Sequence, residues 1–148
     1  MNTKEEKYRT LLAQAEALTD GENDRIANMA NIAAAIQETF GFWWTGFYLV
    51  KGDELVLGPF QGPVACTRIP YGKGVCGTAW QKRETVIVPD VHVFPGHIAC
   101  SSLSQSEIVV PIQQGEDIIG VLDIDSRELD AFDKTDSEYL NKLVKTIQ

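Results

Sequence analysis

Apolar Tyr8, Leu11, Leu12, Ala15 and Leu18 recur in steps of three and four between Glu5 and Leu18, and a second such stripe runs through Ile26, Met29, Ala33, Ile36 and Phe40. That spacing gathers the apolar groups on one helical face, so two helices are predicted, parted by Asp20-Gly21. Gly41 follows the last periodic residue, where a left-handed cap would end the second helix. The period then changes. Trp43 to Val50 is rich in aromatic and branched residues, and Lys51-Gly52-Asp53-Glu54 turns it into Leu55-Val56-Leu57, which predicts a hairpin. Further strands are expected at Thr85 to Val88, Ser106 to Ile112 and Ile118 to Asp125, the last two joined by a turn at Gln113 to Asp117. Between the hairpins, Gly74 to Lys82 suits a short helix that turns Val75, Ala79 and Trp80 inward. At the end of the chain, Thr135-Asp136-Ser137-Glu138 has a capping-box pattern ahead of Leu140, Leu143, Val144 and Ile147. Helices packed on a mostly antiparallel sheet make an α+β fold.

The chain has 148 residues, 44% of them hydrophobic, which is enough for one well-buried core; residues 1–148 are expected to form a single domain. Its formal net charge of -8 speaks against nucleic acid or an anionic membrane as partner. A small zwitterion or cation suits the charge better. The first residues, Met1 to Lys7, are charged and lack the apolar run of a secretory signal, and no stretch is long enough to span a bilayer, so a cytoplasmic location is expected.

All three cysteines, Cys66, Cys76 and Cys100, lie in one stretch that also holds both histidines, His92 and His97. In a reducing compartment such clustering points to catalysis or metal binding more than to structural crosslinks. Zinc sites usually take ligands in close pairs such as C-x2-C, and no such pair occurs here, so no metal is expected. Cys76, within Val75-Cys76-Gly77-Thr78-Ala79-Trp80, has the setting of a small packed hydrophobe. Cys100, within Pro95-Gly96-His97-Ile98-Ala99-Cys100-Ser101-Ser102, sits in a polar stretch without apolar periodicity, and Cys66 follows Gln61-Gly62-Pro63-Val64-Ala65. Two loop cysteines could serve as attacking and resolving thiols.

Acidic residues form a second group. Asp123 and Asp125 alternate with Leu122 and Ile124, which places both aspartates on one face of a strand, and Glu107 opens the neighbouring strand. If the two strands pair, three carboxylates crowd together and call for a ligand cation or a shared proton. The same alternation also suits a strand with one solvated face. Trp43, Trp44, Phe47 and Tyr48 could be core or could wall a pocket for a small amphiphilic cation or zwitterion.

The stretch Gly58 to Ile69, the segment Gly72-Lys73-Gly74-Val75-Cys76-Gly77, Cys100 followed by Ser106-Glu107-Ile108-Val109-Val110-Pro111, and Gly120-Val121-Leu122-Asp123-Ile124-Asp125-Ser126 together closely resemble the free methionine-(R)-sulfoxide reductases, enzymes built on a GAF domain. The likeness covers essentially the whole chain and includes all three cysteines at the family spacing. It implies a central antiparallel sheet with helices on one side and a ligand pocket on the other. It implies reduction of the R epimer of free methionine sulfoxide, no bound cofactor, thioredoxin as electron donor, and a homodimer. By the same resemblance Cys100 is the nucleophile, Cys66 the resolving cysteine and Cys76 an alternate resolver, while Glu107, Asp123, Asp125, Trp44 and Tyr48 bind the substrate. A non-catalytic ligand-binding domain and a redox sensor are the competing expectations.

Overall fold

The computed structural model describes residues 2–98 and 103–147, so Cys100 lies outside the described residues. Helix α1 (Lys4–Thr19) begins at a capping box in which Thr3 accepts from the Glu6 N–H and Glu6 reaches back to Thr3. Helix α2 (Arg25–Phe40) is capped by Asp24 and stops at Gly41, whose φ of 66° is the left-handed conformation expected for it. Strands β1 (Trp44–Lys51) and β2 (Glu54–Gln61) form the first hairpin, and β3 (Arg68–Pro70) adds to the outer edge of β2. Helix α3 (Gly74–Lys82) and strand β4 (Val86–Val88) follow, and β5 (Ser106–Gln114) and β6 (Asp117–Ser126) form the second hairpin. Helix α4 (Lys134–Val144) closes the fold. The six strands make one antiparallel sheet in the order β3-β2-β1-β6-β5-β4.

The pleat of the three central strands divides the interior into two cores. Phe47, Ile108, Val110, Leu122 and Ile124 face α1, α2 and α4 and are buried with Tyr8, Leu11, Ile32 and Ile36. On the opposite face, Trp44, Tyr48, Val109 and Val121 pack with Val75, Cys76 and Ala79 of α3. Three helices therefore cover one face, as expected, whereas α3 lies on the other and helps to enclose the pocket there.

Two features depart from the sequence reading. Strand β3 was not anticipated, because three residues are too few to show a period. The cap of α4 lies earlier than the Thr135–Glu138 pattern suggests: Asp133 is the N-cap, accepting from the Thr135 and Asp136 N–H groups, and Asp136 at the third helical position returns a bond to the Asp133 N–H. Asp136 wins because tertiary contacts hold it. Its carboxylate also accepts from the Tyr8 hydroxyl and pairs with the Lys4 ammonium at 2.7 Å, tying α1 to α4. Burial holds the Tyr8 hydroxyl well above its ordinary range, so it stays a proton donor. A hydrogen bond to a charged group is worth ~1.5–3 kcal/mol. Tyr8→Phe is therefore expected to lower unfolding stability by about that amount, read as a lower urea midpoint at constant slope; an unchanged midpoint would mean this clasp does not help to hold α1 down.

Candidate functional site

Register brings the acidic residues together. Glu107 on β5 pairs directly with Asp125 on β6, Asp125 pairs on its other side with Trp44 of β1, and Asp123 stands opposite Gly46. Because side chains alternate, Glu107, Asp123 and Asp125 share the face turned away from α1, α2 and α4. They line one pocket with Trp44, Tyr48 and Cys76. Glu107 and Asp123 are each only 6% exposed. The solvated-face alternative is thereby excluded.

The contacts within the cluster are sparse. Asp125 Oδ1 accepts from the Ser104 hydroxyl at 3.3 Å, and His97 Nε2 stands 3.8 Å from Glu107 Oε1. Asp123 Oδ1 is buried without a hydrogen-bond partner among the described residues. Cys76 reaches the same spot from α3: its sulfur and one oxygen each of Glu107 and Asp123 lie within 4.8 Å of one another.

Removing carboxylates from water disfavours their charged form, and mutual repulsion adds to the effect. Burial, followed by the charges of Asp123 and Asp125, holds Glu107 well above the usual carboxyl range. Burial and then Asp123 do the same to Asp125. Asp123 is raised by burial, against the opposing pull of bonds to Glu107 and Cys76. Cys76 is pushed up by burial and by these acids, so it stays a thiol. Burial, then the charge of His92, lowers His97. This cluster can store and donate protons, and it can accept a ligand cation.

The aromatic residues do more than wall the pocket. Trp44 stacks between Tyr48 and Phe60, with ring centroids 5.9 and 5.3 Å away. Its indole N–H donates to the Pro63 carbonyl at 3.0 Å, and the Tyr48 hydroxyl donates to the Cys66 carbonyl at 2.8 Å. Together they fasten the Gly62–Cys66 segment over the acids. Trp44 can lie flat there because residue 46 is glycine: a Cβ would stand 2.4 Å from Phe60 Cβ and 2.6 Å from the Trp44 ring.

The cysteines separate into two kinds. Cys76 is buried and free, whereas Cys66 is disulfide-bonded. The nucleophile expected at Cys100 falls outside the described residues. His92 bonds Asp90 on the surface, at 3.1 Å, and does not line the pocket. Sequence reasoning did not assign His97 or Ser104 to the pocket; the signal for both was their place in the segment running from His92 past Cys100 to Glu107.

A curled antiparallel sheet with helices on one face and an enclosed acidic, aromatic-walled pocket on the other defines a small-ligand domain of the α+β class. A family model described as the GAF domain matches residues 26–148. The chain is 60% identical to GAF domain-containing protein A of Dictyostelium discoideum, over 98% of this chain and 92% of the relative. It is 47% identical to the free methionine-R-sulfoxide reductase of Escherichia coli, over 98% of this chain and 88% of that one. It superposes with a TM-score of 0.97 on the crystal structure of free methionine-R-sulfoxide reductase from Neisseria meningitidis in complex with its substrate, which is 56% identical and is matched over 99% of this chain and 89% of that chain. The chain belongs to the GAF domain family and, within it, to the group that includes the free methionine-R-sulfoxide reductases.

Gly46→Ala should displace Trp44 or Phe60 and destabilise the protein by about 1–3 kcal/mol, measured by chemical unfolding; an unaltered midpoint would mean that the stack tolerates a methyl group. The acid cluster gives a pH prediction of defined sign. The folded pKa of Glu107 is raised above the ordinary 4.5, so once pH exceeds that value the unfolded chain gives up a proton that the folded one keeps, and stability falls with rising pH. Glu107→Gln should therefore gain in Tm relative to the parent between pH 5 and pH 8. An equal Tm difference at both pH values would show that Glu107 ionises normally.

Proposed function

We propose that this protein reduces free L-methionine-(R)-sulfoxide to L-methionine, with Cys100 as nucleophile, Cys66 as resolving cysteine and thioredoxin as reductant. The observation that carries the reading is the acidic trio beneath the segment bearing Cys66, with Glu107 and Asp123 buried and Asp125 half-buried. Among the described residues, no Lys or Arg lines that pocket. A free amino acid brings an ammonium that the acids can bind, which a peptide-bound residue lacks. The named activity of relatives at 46 and 47% identity supports the same substrate.

The Cys100 thiolate attacks the electrophilic sulfoxide sulfur while a protonated carboxyl gives its proton to the sulfoxide oxygen. Glu107 and Asp125, both held above the usual range, are suited to that donation. Asp123, with an unpartnered buried oxygen, is suited to the ammonium. The sulfoxide oxygen passes to Cys100 as a sulfenic acid, and methionine leaves with its sulfur reduced by two electrons. The Cys66 thiol then attacks the Cys100 sulfur, expelling water and forming a disulfide. The bonding of Cys66 in a disulfide agrees with such a resting state. A thioredoxin dithiol takes over the disulfide by two exchanges and restores both thiols. Cys76, buried and held as a thiol, is the poorer nucleophile and would resolve only if α3 shifts. Homodimeric assembly belongs to the same proposal, on the strength of the family resemblance.

The test is NADPH oxidation coupled through thioredoxin reductase and thioredoxin, with the free R epimer, the free S epimer and a peptide-bound sulfoxide supplied separately. Turnover is expected with the free R epimer alone, lost in Cys100→Ser and reduced at least about a hundredfold in Asp125→Asn, the loss of a positioned proton donor. Turnover of none of the three would overturn the reading in favour of a ligand-sensing or redox-sensing domain.

A further inference from the structure

We propose that Cys76, Glu107 and Asp123 form a site for one thiophilic divalent cation such as Zn²⁺, which enters the pocket in place of the substrate and reversibly blocks turnover. This goes beyond the reductase reading, which uses no metal. The donor atoms are one sulfur and two carboxylate oxygens, all within 4.8 Å of one another and all on buried residues. They come from α3, β5 and β6, three elements fixed by the surrounding core. Around a zinc ion at ~2.3 Å from sulfur and ~2.0–2.2 Å from oxygen, such donors stand ~3.3–3.6 Å apart. Side-chain rotation covers that difference.

A group of acids alone would not identify a site. Here Asp123, bonded to Glu107 and Cys76, also lines the pocket with its Oδ1 buried and unpartnered among the described residues, so this oxygen can take one further partner. A buried carboxylate left in that condition is costly unless it takes a proton or a cation. His97 Nε2 lies 3.8 Å from Glu107 Oε1 at the edge of this group. The donor set also selects the ion. A thiolate favours zinc or cadmium, whereas magnesium and calcium prefer oxygen alone and are excluded by the sulfur and the small number of donors. Binding exchanges the protons on the thiol and carboxyls for the cation and releases them to solvent. The cation would occupy the Asp123 carboxylate assigned to the substrate ammonium and the Glu107 carboxyl assigned to proton donation, so cation and substrate exclude each other.

Cys76 remains a free thiol while Cys66 is disulfide-bonded, which allows the site to be probed without competition from a Cys66 thiol. The disulfide form, free of reductant, is titrated with Zn²⁺ by calorimetry and with Co²⁺ by absorbance. One ion per chain is expected, with a thiolate-to-cobalt charge-transfer band. Cys76→Ser should lose the band, and both it and Asp123→Asn should weaken Zn²⁺ binding by at least about tenfold. The surface variant His92→Ala should bind as the parent does, and Mg²⁺ should not bind. In a single turnover by protein reduced and then desalted, Zn²⁺ should suppress methionine formation and EDTA should restore it. Cys76→Ser should need at least about tenfold more Zn²⁺ for the same suppression. Failure of the disulfide form to bind Zn²⁺, undiminished binding by Cys76→Ser, or Zn²⁺ binding without loss of methionine formation would overturn the proposal. The metal-free turnover assay reads the reductase function separately, so either conclusion can fail while the other stands.

Discussion

Three carboxyl groups placed side by side on the inner face of a sheet set the terms for everything around them. Direct pairing of Glu107 with Asp125, and the position of Asp123 two residues earlier on β6, make the crowding unavoidable once β5 and β6 form their hairpin. Water is largely excluded from Glu107 and Asp123, and no Lys or Arg lines the pocket among the described residues. The folded protein can keep such a group only by holding protons on it or by binding a cation. A destabilising arrangement of this kind makes sense where the stored proton or the attraction for a cation is used. Strain of this sort is commonly offset elsewhere in a fold.

Here the compensation lies across the sheet. The face toward α1, α2 and α4 is largely apolar, with Thr45 bonded to Gln37 of α2, and polar ties such as Lys4 and Tyr8 to Asp136 pin α1. The opposite face mixes aliphatic packing under α3 with the acids and the Trp44–Tyr48–Phe60 stack. From that stack, two hydrogen bonds hold the Cys66 segment above the acids. Rigid floor and anchored wall thus derive from alternate residues of the same strands, and the wall holds the Cys66 segment in place.

Much of this was legible in the sequence, for definite reasons. The helical stripes, Gly41 as a cap and the two hairpins follow from periodicity and turn chemistry, which act locally. The shared face of Asp123 and Asp125 follows from the pleat alone. Whether that face was wet or buried did not, because it depends on α3 and on the Gly62–Cys66 segment, which are distant in the chain. The same limit hid the cap of α4: Thr135 and Asp133 are similar capping candidates locally, and the contacts of Asp136 with Lys4 and Tyr8, more than a hundred residues away, decide between them. Family resemblance supplied the expected roles of the cysteines, which spacing alone left open. His97 and Ser104 carried no motif of their own and became pocket residues only through the path of the chain.

The central claim is that the pocket acids hold a proton under working conditions. The most direct test is a ¹³C NMR titration of the Glu107, Asp123 and Asp125 carboxyl carbons in the ligand-free protein. At least one of the three should keep the chemical shift of a protonated carboxyl at pH 7, with the steps of the others displaced upward by their shared site. Three ordinary titrations centred near pH 4 would contradict the account.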